Sequence, residues 1–363
     1  MNRLPFVLLF LVASCASTPT CPISGARPAD DLIQQGEGHF KHLWQLTDGG
    51  ENAEAYWNFA GDRLILQSRR PKQGVDCDRI YVTEAEGATR QISNGRGVTT
   101  CSYFLPGDDK VLFASTHSGH ETCPPPPDRS KGYVWELHPE YDIYIQDLVS
   151  GDTKTLIGGP GYDAEGTISP TGDRLVFTST RSGDIELWTC NVDGSDVRQV
   201  TNEPGYDGGA FFSHDGQQLV WRSTQFSHEG RDAELKEYRE LLEAGLVRPS
   251  NMELMVAKAD GSERRQVTHL GKANFAPFFY PDDSRIIFSS NHHDSNRPAM
   301  NFDLFSIRPD GTGLEQITFY NGERGKQFDS FPMFSPDGRY LAFSSNRGSG
   351  EAGETNVFIA EWQ

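Results

Sequence analysis

The sequence predicts an all-β fold: a six-bladed β-propeller with four antiparallel strands per blade. Three observations predict it. A strand–turn–strand unit recurs six times with constant internal spacing. A second hairpin follows each copy. The last copy ends one strand short, and a matching strand stands ahead of the first.

The unit is clearest at Phe334-Ser335-Pro336-Asp337-Gly338-Arg339-Tyr340-Leu341-Ala342-Phe343. Pro336 presets φ for a turn, and Asp337-Gly338 supply its polar tip and left-handed position. Leu341 and Phe343 alternate with neighbours of other character, the period of a half-buried strand. Aligned on Phe334, the other copies begin at Trp57, Phe104, Ile168, Phe212 and Phe279. Nine residues after each marker stands a second apolar residue: Leu66, Phe113, Phe177, Trp221, Phe288 and Phe343.

The third strand reads Ile80-Tyr81, Ile143-Tyr144, Leu187-Trp188, Leu254-Met255, Leu304-Phe305 and Val357-Phe358 in successive units. A fourth strand follows in five of them, from Gln91-Ile92 to Gln316-Ile317. The sixth lacks it, and Trp44-Gln45-Leu46-Thr47 is the missing strand. Such closure removes the open sheet edge of an unclosed array.

Successive markers are 47, 64, 44, 67 and 55 residues apart. The excess over a bare blade falls between second and third strands, so the insertions decorate one face. Blade 2 carries residues 118–141, with prolines at 124–127 and Tyr133-Val134-Trp135. Blade 4 carries residues 226–250, where 232–246 is expected as a short helix with Leu235, Tyr238, Leu241 and Leu242 on one side. Long loops on a rigid scaffold are where function usually sits.

Composition agrees. Among 363 residues, 37 Gly, 21 Pro and 22 Phe suit many short strands and tight turns. The net charge of -18 repels phosphate backbones and argues against a nucleic-acid partner. Asn2-Arg3 and apolar residues 4–12 form a leader too short to span a bilayer. Val12-Ala13-Ser14-Cys15 resembles a bacterial lipobox, which implies removal of residues 1–14 and acylation of Cys15. Ala16, in place of Asp, points by that family's sorting rule to the Gram-negative outer membrane, facing periplasm or exterior. Residues 15–39 read as a flexible tether and 40–363 as the propeller.

The Phe-Ser-Pro-Asp-Gly hairpin with its Ser-Asn-Arg end, in six copies closed N-terminally, resembles the TolB-type (WD40-like) propeller family of bacterial envelopes. The resemblance covers residues 40–363 and implies the fold. In TolB a separate α/β domain precedes the propeller; here the preceding residues read as signal peptide and tether.

Three constellations are candidate sites. The first is a ring. Five residues before the markers stand Asn52, Thr99, Asp163, Asp207, Asn274 and Asp329, and eighteen residues after these stand Arg70, His117, Arg181, Gln225, His292 and Arg347. The two sets should pair at one channel mouth, either as repeated structural hydrogen bonds and ion pairs or as a polar funnel for a ligand or peptide end. Glu54 and Glu165 lie just inside. The second is His117-x-x-His120-x-x-Cys123 with Cys77 and Cys101, zinc-compatible in type. A disulfide within Cys77, Cys101 and Cys123 is the competing reading, with its pairing open. The third is His292-His293 with His117 and Gln225, similar in residue type to the manganese ligands of oligogalacturonate lyases. Cys190, within an expected strand, reads as a small buried hydrophobe.

No Gly-x-Ser-x-Gly elbow or P-loop occurs. The sequence therefore reads as a non-catalytic, monomeric cell-envelope lipoprotein without a cofactor. It would bind an envelope protein segment or small ligand at the loop-rich mouth. The alternative is a metal-dependent lyase or hydrolase acting on a glycan or peptide at that mouth.

Overall fold

The computed structural model describes residues 20–84, 87–130, 132–293, 301–320 and 327–363. Cys15 and the leader lie outside the described residues.

Each expected repeat is one antiparallel sheet. Blade 1 is Glu51–Trp57, Leu64–Arg70, Val75–Thr83 and Thr89–Gln91. Blades 2 to 5 repeat this order, their innermost strands being Thr99–Phe104, Asp163–Ile168, Asp207–Phe212 and Asn274–Phe279. Blade 6 has Asp329–Phe334, Tyr340–Ser345 and Asn356–Trp362, and Phe40–Gln45 pairs with the last of these as its fourth strand. The ring closes through the N-terminal strand, as the sequence indicates.

The markers are core residues. Trp57, Phe104, Phe279 and Phe334 are at most 1% exposed. Phe334 packs edge-on against Tyr280 and Trp362, at centroid distances of 4.8 and 4.9 Å. The Trp57 indole N–H donates to the Met333 carbonyl at 3.1 Å, joining the first blade to the last.

The expected tether is corrected from Ile23 onward. Ile23 and Ala29 are buried, Arg27–Pro28 adds a fifth strand to blade 6, and Glu37 is 2% exposed. The apolar residues among the polar ones, and one acid with a buried cationic partner, fold this stretch onto the propeller.

Both insertions fold across the mouth. The helix in blade 4 runs Arg231–Glu243, with Tyr238 buried and Leu235 and Leu242 packed beside it. Asp232 lies inside its first turn; the cap position is Gly230. Beyond the helix, Leu246–Val247 pairs with Trp135–Glu136 of the blade 2 insertion. This two-stranded cap joins loops more than a hundred residues apart in sequence. Cys77 and Cys123 form a disulfide that ties the blade 2 insertion back to blade 1. Cys190 is fully buried.

Candidate functional site

The innermost strands all break register at the same place, between Ala53 and Tyr56 in blade 1 and at the equivalent positions in the other five blades. Each break is a bulge whose residue three before the marker takes a left-handed conformation. These residues are Glu54, Cys101, Glu165, Gly209, Ala276 and Phe331, with φ between 50° and 61°. The bulge turns that side chain out of the strand's alternation, and the six together line a cavity of about 30 Å³ on the propeller axis. Non-glycine residues held this way are uncommon and concentrate at functional sites.

Above them opens a cavity of about 570 Å³. Its walls are aromatic: Tyr133, Trp135, Tyr141, Tyr162, Tyr206, Phe275 and Phe331. Asp76, Asp78, Arg69 and Arg129 add charge, and Glu54, Cys101, Glu165 and Arg222 make the floor. The volume lies within the range usual for ligand-binding cavities, and the lining combines aromatic walls with many charged groups.

The floor carries one cation against two acids. Arg222 pairs with Glu165, and both side chains are about nine-tenths buried. The Tyr206 hydroxyl donates to Glu165, 2.7 Å from Oε2, and lies 2.6 Å from Arg222 Nη2. The Gly209 N–H and the Thr178 hydroxyl also donate to Glu165 Oε2, at 3.0 and 2.7 Å. The Arg222 guanidinium sits 5.1 Å from the centre of the Trp135 ring, so the cap closes on it through a cation–π contact.

Glu54 is left over. Among the described residues its Oε1 accepts only the Cys101 thiol, at 3.8 Å, and its buried Oε2 has no partner. Burial, then the Glu165 charge, raise its carboxyl to about 7. Burial and the two acids hold the Cys101 thiol well above its ordinary value. It stays protonated, which makes it a poor nucleophile. Burial likewise raises Asp78 to about 6.

The outer ring is structural in its contacts. One serine per blade, two residues before the second set, hydrogen-bonds that residue: Ser68, Ser115, Ser179, Ser223, Ser290 and Ser345. Ser68 Oγ donates to Asn52 Oδ1 at 2.8 Å and accepts from Arg70 Nε at 3.0 Å. Ser290 Oγ donates to Asn274 Oδ1 at 2.6 Å and lies 2.8 Å from His292 Nδ1. Ser115 Oγ lies 2.9 Å from His117 Nδ1, and Gln225 donates to Ser223 at 3.2 Å. Asp163 meets Arg181 at 2.7 Å, and Asp329 meets Arg347 at 2.9 Å. Asp207 accepts from the Trp221 indole at 2.8 Å. None of these twelve residues lines the mouth cavity, whereas Glu54 and Glu165 do. Sequence reasoning misses these serines, although their spacing is constant, and Arg222, whose strand position gives no sign of it.

The metal-like sets do not assemble as expected. Cys77 and Cys123 are joined to each other, leaving Cys101 as a free thiol. His117 and His292 belong to different blades and are each held by their own serine. Burial lowers His292 to about 4, with His293 adding to the effect. This arrangement does not fit a manganese site built on His117, Gln225 and His292-His293. Among the described residues the donors that do come together are those of His120, His138 and Glu140.

The fold is a six-bladed β-propeller whose mouth is capped by its own insertions. No protein-family model matches the chain. An uncharacterised protein of Agrobacterium fabrum is 39% identical over 57 residues, which is 16% of this chain and 20% of that protein. TolB from Acinetobacter baumannii is similar in structure, with TM-score 0.50 and 17% identity over 86% of this chain and 64% of that one. A putative TolB from Agrobacterium tumefaciens has TM-score 0.54 and 14% identity, over 86% and 91% of the two chains. An oligogalacturonate lyase in complex with manganese has TM-score 0.51 and 12% identity, over 93% and 96%. The chain thus spans a fifth of the curated relative and less than two thirds of the first TolB, and the likeness to the solved structures is one of fold. Among the described residues no helix is long and apolar enough to cross a membrane.

Proposed function

We propose that this protein is a non-catalytic binding protein of the cell envelope that receives a short protein segment or small ligand in the mouth cavity. One observation carries the reading: the unpartnered Glu54 Oε2 at the base of an aromatic-walled cavity. A buried polar atom without a partner is costly and invites one. With Glu54 and Glu165 against Arg222 alone, the floor favours a ligand bearing an ammonium or another strong hydrogen-bond donor. The aromatic walls favour apolar or cationic bodies. The lipobox-like Val12–Cys15 and the resemblance of the repeat to envelope propellers support an acylated, membrane-anchored setting.

The test places a photo-crosslinking residue at Tyr133, which is 47% exposed on the rim, and irradiates living cells. A discrete adduct that fades in the Glu54→Gln background is expected. No adduct, or one indifferent to Glu54, sinks the proposal. Fractionation of a Cys15→Ser variant tests the anchor separately: the protein should leave the membrane fraction.

A further inference from the structure

We propose that the insertion of blade 2 holds a divalent transition-metal site built from His120, His138 and Glu140. One donor atom from each lies within 4.8 Å of the others. His120 Nε2 and Glu140 Oε2 are 3.4 Å apart. Donors at zinc distances of ~2.0–2.1 Å from one ion in tetrahedral array stand about 3.4 Å from each other. That edge is already set, and the third donor needs to close by at most about 1.4 Å from its 4.8 Å limit.

The backbone under these donors is built and pinned. His120 ends a turn in which its N–H donates to the Thr116 carbonyl at 2.9 Å. His138 opens another, its carbonyl accepting from the Tyr141 N–H at 3.1 Å. A Cβ on Gly119 would stand 2.4 Å from Glu140 Cγ, so only glycine lets that acid lie against the His120 turn. The Cys77–Cys123 disulfide fixes the chain three residues after His120. The Leu137 N–H donates to the Gly245 carbonyl at 2.7 Å just before His138. Such support is what a preformed site requires.

Donor chemistry sets the class of ion. Two imidazoles and a carboxylate suit zinc and its neighbours, whereas calcium and magnesium take oxygen donors. Glu136 Oε2, 3.5 Å from His138 Nε2, places a second carboxylate beside the imidazole. His138 and Glu136 also line the mouth cavity. The ion would therefore sit on the cavity rim and fix its wall, independently of what the cavity binds.

The test uses the untagged full chain, stripped with chelator and titrated with zinc chloride by calorimetry. One ion per chain is expected, with affinity at least tenfold weaker in both His120→Gln and His138→Gln. Cobalt(II) should give the visible bands of a low-symmetry site in the parent and lose them in the variants. Circular dichroism selects the variant that retains the fold. Absence of saturable zinc binding, binding undiminished in a folded variant, or displacement of zinc by equimolar calcium would overturn the proposal. No mouth ligand enters the assay, so its outcome is separate from that of the binding function.

Discussion

Arg347 grips Glu37 through two bonds, Nη1 to Oε2 at 3.0 Å and Nη2 to Oε1 at 3.1 Å, with both side chains fully buried. Asp329 Oδ2 takes a third bond at 2.9 Å. Two acids against one guanidinium lock the segment ahead of the closing strand onto the last blade. Removing the cation strands two buried carboxylates, and breaking a buried pair in this way costs about 3–5 kcal/mol. Arg347→Ala should lose that much in denaturant unfolding. Arg181→Ala removes a side chain that is 26% exposed and should lose about 1–2 kcal/mol. Equal losses would contradict the burial argument.

The sequence carried the blades because their signals are local. Pro336-Asp337-Gly338 and its copies fix the turn, and the strand period fixes the faces. It also carried the closing strand, since the sixth unit visibly lacks one. Glu37 reads as tether in the sequence because its partner lies 310 residues away. The cap was illegible for the same reason: Trp135–Glu136 and Leu246–Val247 meet only in the folded ring. At the mouth, Glu54 and Glu165 are legible from their fixed spacing to the markers. Arg222 sits in a strand whose alternation says nothing of the axis, and a bulge that redirects a side chain leaves no mark in periodicity.

Phe334 tests the blade register. It is 1% exposed and wedged between Tyr280 and Trp362. Phe334→Ala should destabilise by about 3–5 kcal/mol, the usual cost of truncating a buried aromatic. Urea unfolding checks this. A loss under ~1 kcal/mol would mean that the marker does not bear on the core as described.

Glu54 should make stability depend on pH. Its carboxyl rises from 4.5 to about 7 on folding. Between those values the folded chain keeps a proton that the unfolded chain has released, so stability falls as pH rises through the window. Glu186, raised to about 8 chiefly by burial, acts in the same direction. Glu54→Gln removes one share of the fall. Its stability relative to the parent should grow by about 1–3 kcal/mol between pH 5 and 8. A gap constant across that range would show that Glu54 does not titrate as its surroundings require.

The disulfide between Cys77 and Cys123 spans 46 residues. In the chain-entropy account, closing such a loop constrains the unfolded state by about 4 kcal/mol, and measured effects often fall below that. Cys77→Ser with Cys123→Ser should therefore cost about 2–4 kcal/mol. The bond holds the wall of the mouth, so proteolysis within residues 124–130 should also quicken. Unchanged cleavage would show that the insertion is held by its pairing with blade 4 alone.

Gly209 gives the sharpest test of the floor. A Cβ there would lie 2.2 Å from Arg222 Nη1. The left-handed backbone is not itself the obstacle, since Ala276 occupies the equivalent bulge with φ of 50°. Gly209→Ala must instead drive Arg222 away from Glu165, leaving a buried acid without its cation, at a cost of about 3–5 kcal/mol. The coupling has a direct check. In an Arg222→Met background the ion pair is already gone, and the added alanine should cost about 1 kcal/mol or less, by double-mutant cycle. Additive costs in the two backgrounds would mean that Gly209 serves the backbone and not the guanidinium.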